Sequence, residues 1–150
     1  KTMDLLGRIS TYSFEWNLPI TMENLEKIKR EYNLNLPKEY ECFLLRANGA
    51  NLYYDSENAG YRLLSIEEAI AFTDETKQDG FDLDDKYLIF MRTMFSDDFL
   101  LFDLTKCKSN KYIIDGDVGY PKQQWGYIKG GFNMLMLHLF QTNGDMYWRW

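Results

Sequence analysis

Leu36-Pro37-Lys38-Glu39-Tyr40-Glu41-Cys42-Phe43-Leu44-Leu45-Arg46-Ala47-Asn48-Gly49 is the stretch around which the rest of the chain is arranged. Proline suits the first position of a helix, where it loses no N–H bond and its φ is already helical. Glu39 and Glu41 then lie near the positive end of the helix dipole, and Arg46 near the negative end. Tyr40, Phe43, Leu44 and Ala47 follow the i, i+3, i+4, i+7 spacing of one buried face. Asn48-Gly49 can supply a left-handed residue that stops the helix. The spacing predicts a short helix with one apolar face and a sharp start and stop.

Upstream, Tyr12-Ser13-Phe14-Glu15-Trp16 alternates apolar and polar residues, as an edge strand or a packed arm would. Thr21 reads as an N-cap, with Ile20 and Leu25 placed for a hydrophobic staple. Leu25, Ile28 and Tyr32 share a face, so a first helix is expected over Thr21 to Tyr32, packed as a hairpin against the Pro37 helix. Downstream, Leu52-Tyr53-Tyr54 and Tyr61-Arg62-Leu63-Leu64 read as strands around a polar loop. Ser65-Ile66-Glu67-Glu68 is a capping box that opens a helix. Residues 74–85 are acidic and read as a solvated helix end and loop. Tyr87 to Met94 and Phe99 to Leu104 form a hairpin about Phe95-Ser96-Asp97-Asp98. Lys111-Tyr112-Ile113-Ile114 is a further strand, Gly116 and Gly119 mark a turn, and Tyr120 to Tyr127 holds a short strand or loop. Phe132, Leu135, Met136 and Leu139 define a last helix, and Met134, Leu137 and Phe140 make it apolar all round, so deep burial is expected. The expected fold is α+β: one domain over residues 1–150, a mainly antiparallel sheet flanked by an N-terminal helical hairpin and a C-terminal helix.

These motifs resemble the SUKH superfamily, which includes the Smi/Knr-type cell-wall regulators of yeast and many bacterial immunity proteins. The resemblance rests on the Leu36-Pro37 pair, Tyr40, the Phe43-Leu44 pair and Asn48-Gly49. It continues through Leu63 to Ala69, through Tyr87 to Leu104 ending in Phe102-Asp103-Leu104, and through Phe132 to Leu139, over residues 20–140. Gly130-Gly131-Phe132 stands where the family usually has Ser-Phe. The resemblance implies a protein-binding module. For a bacterial member it implies an immunity protein that neutralises a toxin, often a basic nuclease, by binding it. It also suggests a regulatory scaffold like the yeast proteins, and a separate alternative is a small-molecule-binding protein or enzyme using the cleft around the hairpin.

With 150 residues, 45% hydrophobic and 17% aromatic, the chain has enough apolar surface for a packed core and should bury about 70% of its unfolded surface. No apolar run reaches the roughly 18 residues of a membrane span, and nothing near the start reads as a signal peptide. Two cysteines, Cys42 and Cys107, suggest no disulfide framework, so the cytoplasm is the expected location. The net charge of −6 is unevenly spread. Residues 51–104 carry 13 acids against 4 bases, whereas residues 105–150 carry 3 acids against 6 bases. No dense basic stripe is available for phosphates, which argues against nucleic acid and for a basic protein partner.

Catalytic chemistry finds little support. Cys42 and His138 are the one conventional nucleophile–base pair, and both fall in apolar helices where packing is the expected role. His138 has no companion ligands at zinc spacing. Asp115-Gly116-Asp117 hints at a calcium loop, but Gly126 occupies the position of the bidentate Glu, so a turn is expected. The carboxylate pairs Glu67-Glu68, Asp84-Asp85 and Asp97-Asp98 have no implied apolar pocket, and Gly126 to Gly131 fits no phosphate-loop pattern. No enzyme activity, metal or cofactor is expected. The residues singled out for a partner are Tyr53, Tyr54, Asp55, Glu57, Asp97, Asp98 and Trp125. The acids are placed in turns to steer a basic protein, and the aromatics serve as anchors if exposed.

Overall fold

Strands that follow one another in the chain also lie side by side in the computed structural model, which describes residues 2–3, 9–10, 13–55 and 59–150. Strands β1 (Thr2–Met3) and β2 (Ile9–Ser10) form an antiparallel pair. The main antiparallel sheet runs in the order β3 (Ser13–Trp16), β4 (Ala50–Tyr54), β5 (Tyr61–Leu63), β6 (Tyr87–Thr93), β7 (Phe99–Asp103), β8 (Ile113–Gly116) and β9 (Tyr127–Ile128). Helices α1 (Met22–Glu31) and α2 (Lys38–Leu44) lie between β3 and β4. Helix α3 (Ile66–Gln78) lies between β5 and β6, and α4 (Phe132–Gln141) follows the sheet. The α+β class expected from the sequence is the one observed, and residues 13–16 do form an edge strand; Tyr12 lies outside the described residues.

Local chemistry accounts for the helix ends. Thr21 Oγ1 accepts from the Asn24 N–H at 3.1 Å, capping α1, and Asn33 at φ 51° turns the chain towards α2. The hairpin is closed by the Ile20 N–H donating to Leu44 O at 3.1 Å and by Lys29 Nζ at 2.5 Å from Glu41 Oε1. Pro37 caps α2 from just outside it, one place earlier than expected. Gly49 does not end that helix, which stops at Leu44. Its φ of 99° serves a close approach, because a Cβ there would lie 2.8 Å from Ser65 N and 2.9 Å from Leu63 O. The capping box of α3 is complete: the Glu68 N–H donates to Ser65 Oγ at 3.0 Å and the Ser65 N–H to Glu68 Oε1 at 3.3 Å.

Helices α2 and α4 cover one face of the sheet. Tyr40 sits fully buried between Phe90, Phe102 and Phe132, with ring centroids at 6.1, 5.0 and 5.5 Å, and donates its hydroxyl to Leu64 O. Helix α3 covers the other face. Its Phe72 meets Phe99 at 6.3 Å, and the Arg92 guanidinium lies 4.0 Å over the Phe72 ring. A register shift between Ile89 and Met91 serves both faces, stacking Phe90 on Phe102 at 3.8 Å on the first while aiming Arg92 at the second.

Two expectations fail here. Helix α4 is not buried all round: Leu135 and Leu139 enter the core, but Met134, Leu137 and Phe140 are 43, 47 and 40% exposed. One helix lying on one sheet face can bury only one stripe, whatever its composition. Gly116 belongs to β8 and not to a turn, because a Cβ there would lie 2.6 Å from the Phe99 ring.

Candidate functional site

Antiparallel order brings the β4–β5, β6–β7 and β8–β9 connections to one end of the sheet, and hydrogen bonds tie them together. The Met94 N–H donates to Gly60 O at 2.9 Å, joining the first two, and the Val118 N–H donates to Asp98 Oδ1 at 2.9 Å, joining the second to the third. Most of the residues singled out for a partner therefore converge, although the chain separates them widely. Their exposure differs from one to the next. Tyr53 is only 8% exposed and is packed against Phe14 at 4.9 Å, so it cannot act as an exposed anchor. Its φ of 53° turns the side chain inward at an irregular point of the β3–β4 pairing. Tyr54 and Asp55 are half-buried, and Asp55 Oδ1 accepts from the Ala59 N–H at 3.0 Å. Glu57 lies outside the described residues.

Asp98 is structural. Its carboxylate accepts from Val118 and from Arg149 Nη1 at 2.9 Å, and its side chain is only 13% exposed. Arg149 also forks onto Asp115, with Nε at 2.8 Å and Nη2 at 2.7 Å, and lies 3.5 Å from Asp117. The hydrogen bonds to Asp115, with those to Asp98, outweigh burial and raise the Arg149 pKa further. The Asp115-Gly116-Asp117 segment is thus matched by an arginine from the chain's last turn. Among the described residues no group of three or more His, Cys, Asp or Glu side chains could hold a metal ion.

Asp97, by contrast, is exposed, and it lines a groove of about 370 Å³ between α3 and the β6–β7 turn. Phe72, Phe81 and Phe99 supply aromatic walls, and Glu75, Asp79 and Asp97 bring three exposed carboxylates to it. Among the described residues Arg92 is the one base lining it. Trp125 stands behind this groove: its ring is 5.7 Å from Phe99 and 6.3 Å from Phe81, and its Nε1–H donates to Asp117 O at 2.8 Å. It is a half-buried support for the aromatic wall and not a free anchor. Phe95 and Met94 are exposed at the same turn, but Phe95 sits edge-on to Tyr61 at 5.9 Å, on the side of Trp148 and away from the groove. An aromatic wall with carboxylates at its rim suits a cation, which gains from both ring faces and charge.

Sequence reasoning passed over Glu75 and Asp79, merging them into a solvated helix end. Their spacing from Phe72 and Thr76 placed all four on one helical face, a signal that could have found them. Much of the remaining acidity there is matched: Lys77 pairs with Asp85 at 3.1 Å and Lys122 with Asp82 at 3.7 Å.

Cys42 and His138 were expected to be buried in packing. Cys42 is instead exposed in a groove between α2 and α4, while His138 lines a different groove and sits edge-on to Tyr147 at 5.2 Å. Cys107 is the more sheltered thiol, and burial pushes it up to about 11. Among the described residues no helix is long and apolar enough to cross a membrane.

Comparison with known proteins adds one positive finding. The model of the SMI1 / KNR4 family (SUKH-1) matches residues 19–128, nearly three quarters of the chain. The match takes in the whole α3 groove and Trp125 and ends before α4. No curated protein matches the chain.

Proposed function

Because the chain belongs to the SMI1 / KNR4 family (SUKH-1), we propose that it is a protein-binding module and that its partner is a basic protein domain of the kind an immunity protein neutralises. The observation that carries this reading is the α3 groove, where Glu75, Asp79 and Asp97 rim aromatic walls. A lysine or arginine entering it meets the three carboxylates and the Phe81 ring, beside the Arg92 guanidinium that already lies over Phe72. The surplus of acids over bases in residues 51–104 favours approach of such a partner from a distance.

The module acts by binding, without a catalytic step of its own. In support, Cys42 and His138 line separate grooves. The working location is the cytoplasm, where a toxin partner would be met.

The test is capture from a native lysate on the immobilised full chain, in parallel with a Glu75→Gln/Asp79→Asn/Asp97→Asn variant, followed by mass spectrometry. A basic protein retained by the wild type and depleted on the variant, which arrests growth when expressed alone and not with this chain, is the expected result. Equal retention on both baits contradicts the groove as the site. A retained partner without toxicity favours the regulatory scaffold.

A further inference from the structure

The face of the sheet opposite that groove carries a second surface, of different chemistry. Helix α4, with the sequence FNMLMLHLFQ, contains no Asp, Glu, Lys or Arg. Met134, Leu137 and Phe140 line its outer side, and the patch continues onto edge strand β3. There Phe14 lies 6.2 Å from Phe140 and 6.4 Å from Trp16. These five side chains are each between 40 and 55% exposed. Together they offer on the order of 500 Å² of apolar surface, as much as the largest patch on a typical monomer. Alongside the ridge runs a groove of about 400 Å³, walled by Trp16, Phe43, Met136 and Phe140, with Glu39 and Arg46 also lining it.

We propose that this face is a two-fold interface with a second copy of the same chain. Three features select that occupant over a basic partner. Among the described residues the ridge carries no acid to attract a cation. Ridge and groove lie side by side on one surface, so two copies related by a two-fold axis can each seat Leu137 and Met134 in the other's groove. Among the described residues the groove is lined by one charge of each sign, so Glu39 of one copy can meet Arg46 of the other, and the reverse. At on the order of 500 Å² per copy, the ridge buries about 1,000 Å² in total, less than a standard interface, so the dimer is a weak one that forms at high micromolar concentration. The interface leaves the α3 groove open, so a dimer presents two such grooves, and dimerisation does not depend on the proposed partner.

Sedimentation velocity of the full chain, from about 1 to 100 μM, reads the association directly. The wild type should sediment as a dimer in the upper part of that range. Leu137→Glu combined with Met134→Glu should give a monomer with an unchanged circular dichroism spectrum and melting midpoint, since both side chains are outward-facing. Arg46→Glu should weaken association by about tenfold or more, and the Glu39→Lys/Arg46→Glu swap should restore most of it. A wild type that stays monomeric throughout, a dimer indifferent to the two glutamates, or a charge swap as weak as the single change would each overturn the proposal.

Discussion

Arg149 grips Asp115 through two parallel hydrogen bonds, Nε at 2.8 Å and Nη2 at 2.7 Å, while its third nitrogen reaches Asp98 at 2.9 Å. This fork ties the last residues of the chain to the end of the sheet where the three connections meet. Removing the guanidinium leaves Asp98, Asp115 and Asp117 close together with their charges unmatched. Arg149→Met should therefore destabilise the fold by about 1–3 kcal/mol, between the values for exposed and for buried pairs. Each kcal/mol is worth about 2–4 °C in the melting midpoint. An unchanged midpoint would show that the fork is ornamental.

The two aspartates of the β6–β7 turn should behave oppositely. Asp98→Asn loses charge against Arg149, so it should lower the melting midpoint and leave the salt dependence of binding nearly intact. Asp97→Asn should leave the midpoint within about 0.5 kcal/mol of wild type, as exposed substitutions do, and slow association with a basic partner. Melting and binding kinetics on the two single variants separate the roles. Identical behaviour of the pair would contradict the assignment.

Tyr40→Ala removes a fully buried ring and should cost about 3–5 kcal/mol. Phe43→Ala should cost visibly less, because Phe43 is half-buried on the wall of the α2–α4 groove. Urea unfolding of both variants checks the order. Equal losses would mean that Phe43 is as deeply packed as Tyr40.

The same contrast shows how much was legible in the sequence. Periodicity located α1, α2, α3 and the β6–β7 hairpin, and the Ser65–Glu68 capping box was read residue for residue, because each is a local rule. Burial was harder to read. Tyr53 read as a strand residue able to anchor a partner if exposed but is turned inward, and α4 looked like a core helix but shows one side to solvent. Neither outcome depends on neighbours in the chain: both follow from which elements happen to lie across the sheet. Asp98 likewise read as a free turn carboxylate, because its partner Arg149 is 51 residues away. The acidic bias of the middle segment was visible, but which carboxylates remain unmatched is a property of the folded surface.

Acid should weaken the fold through two carboxylates. Burial opposes the charge on Asp103, but the Thr105 hydroxyl and N–H and the Tyr127 hydroxyl outweigh it and hold its pKa below the ordinary value. For Glu68, burial is likewise outweighed by the hydrogen bond and charge of Arg62. Each binds its proton less readily in the folded state than in the unfolded one. Their stabilisation is therefore fully present above the unfolded values near about 4, and is lost as pH falls through the folded values. Asp103→Asn should flatten the decline of the melting midpoint below about pH 4. An unaltered acid profile would place the sensitivity elsewhere.

The central claim is that the α3 groove receives a basic protein, and the association rate of the captured partner tests it most directly. Wild type and the Glu75→Gln/Asp79→Asn/Asp97→Asn variant are compared by stopped flow at low and high ionic strength. The account expects the variant to associate about tenfold or more slowly at low salt, with the two rates converging as salt screens the charges. Equal rates at low salt, with folding intact, would contradict it.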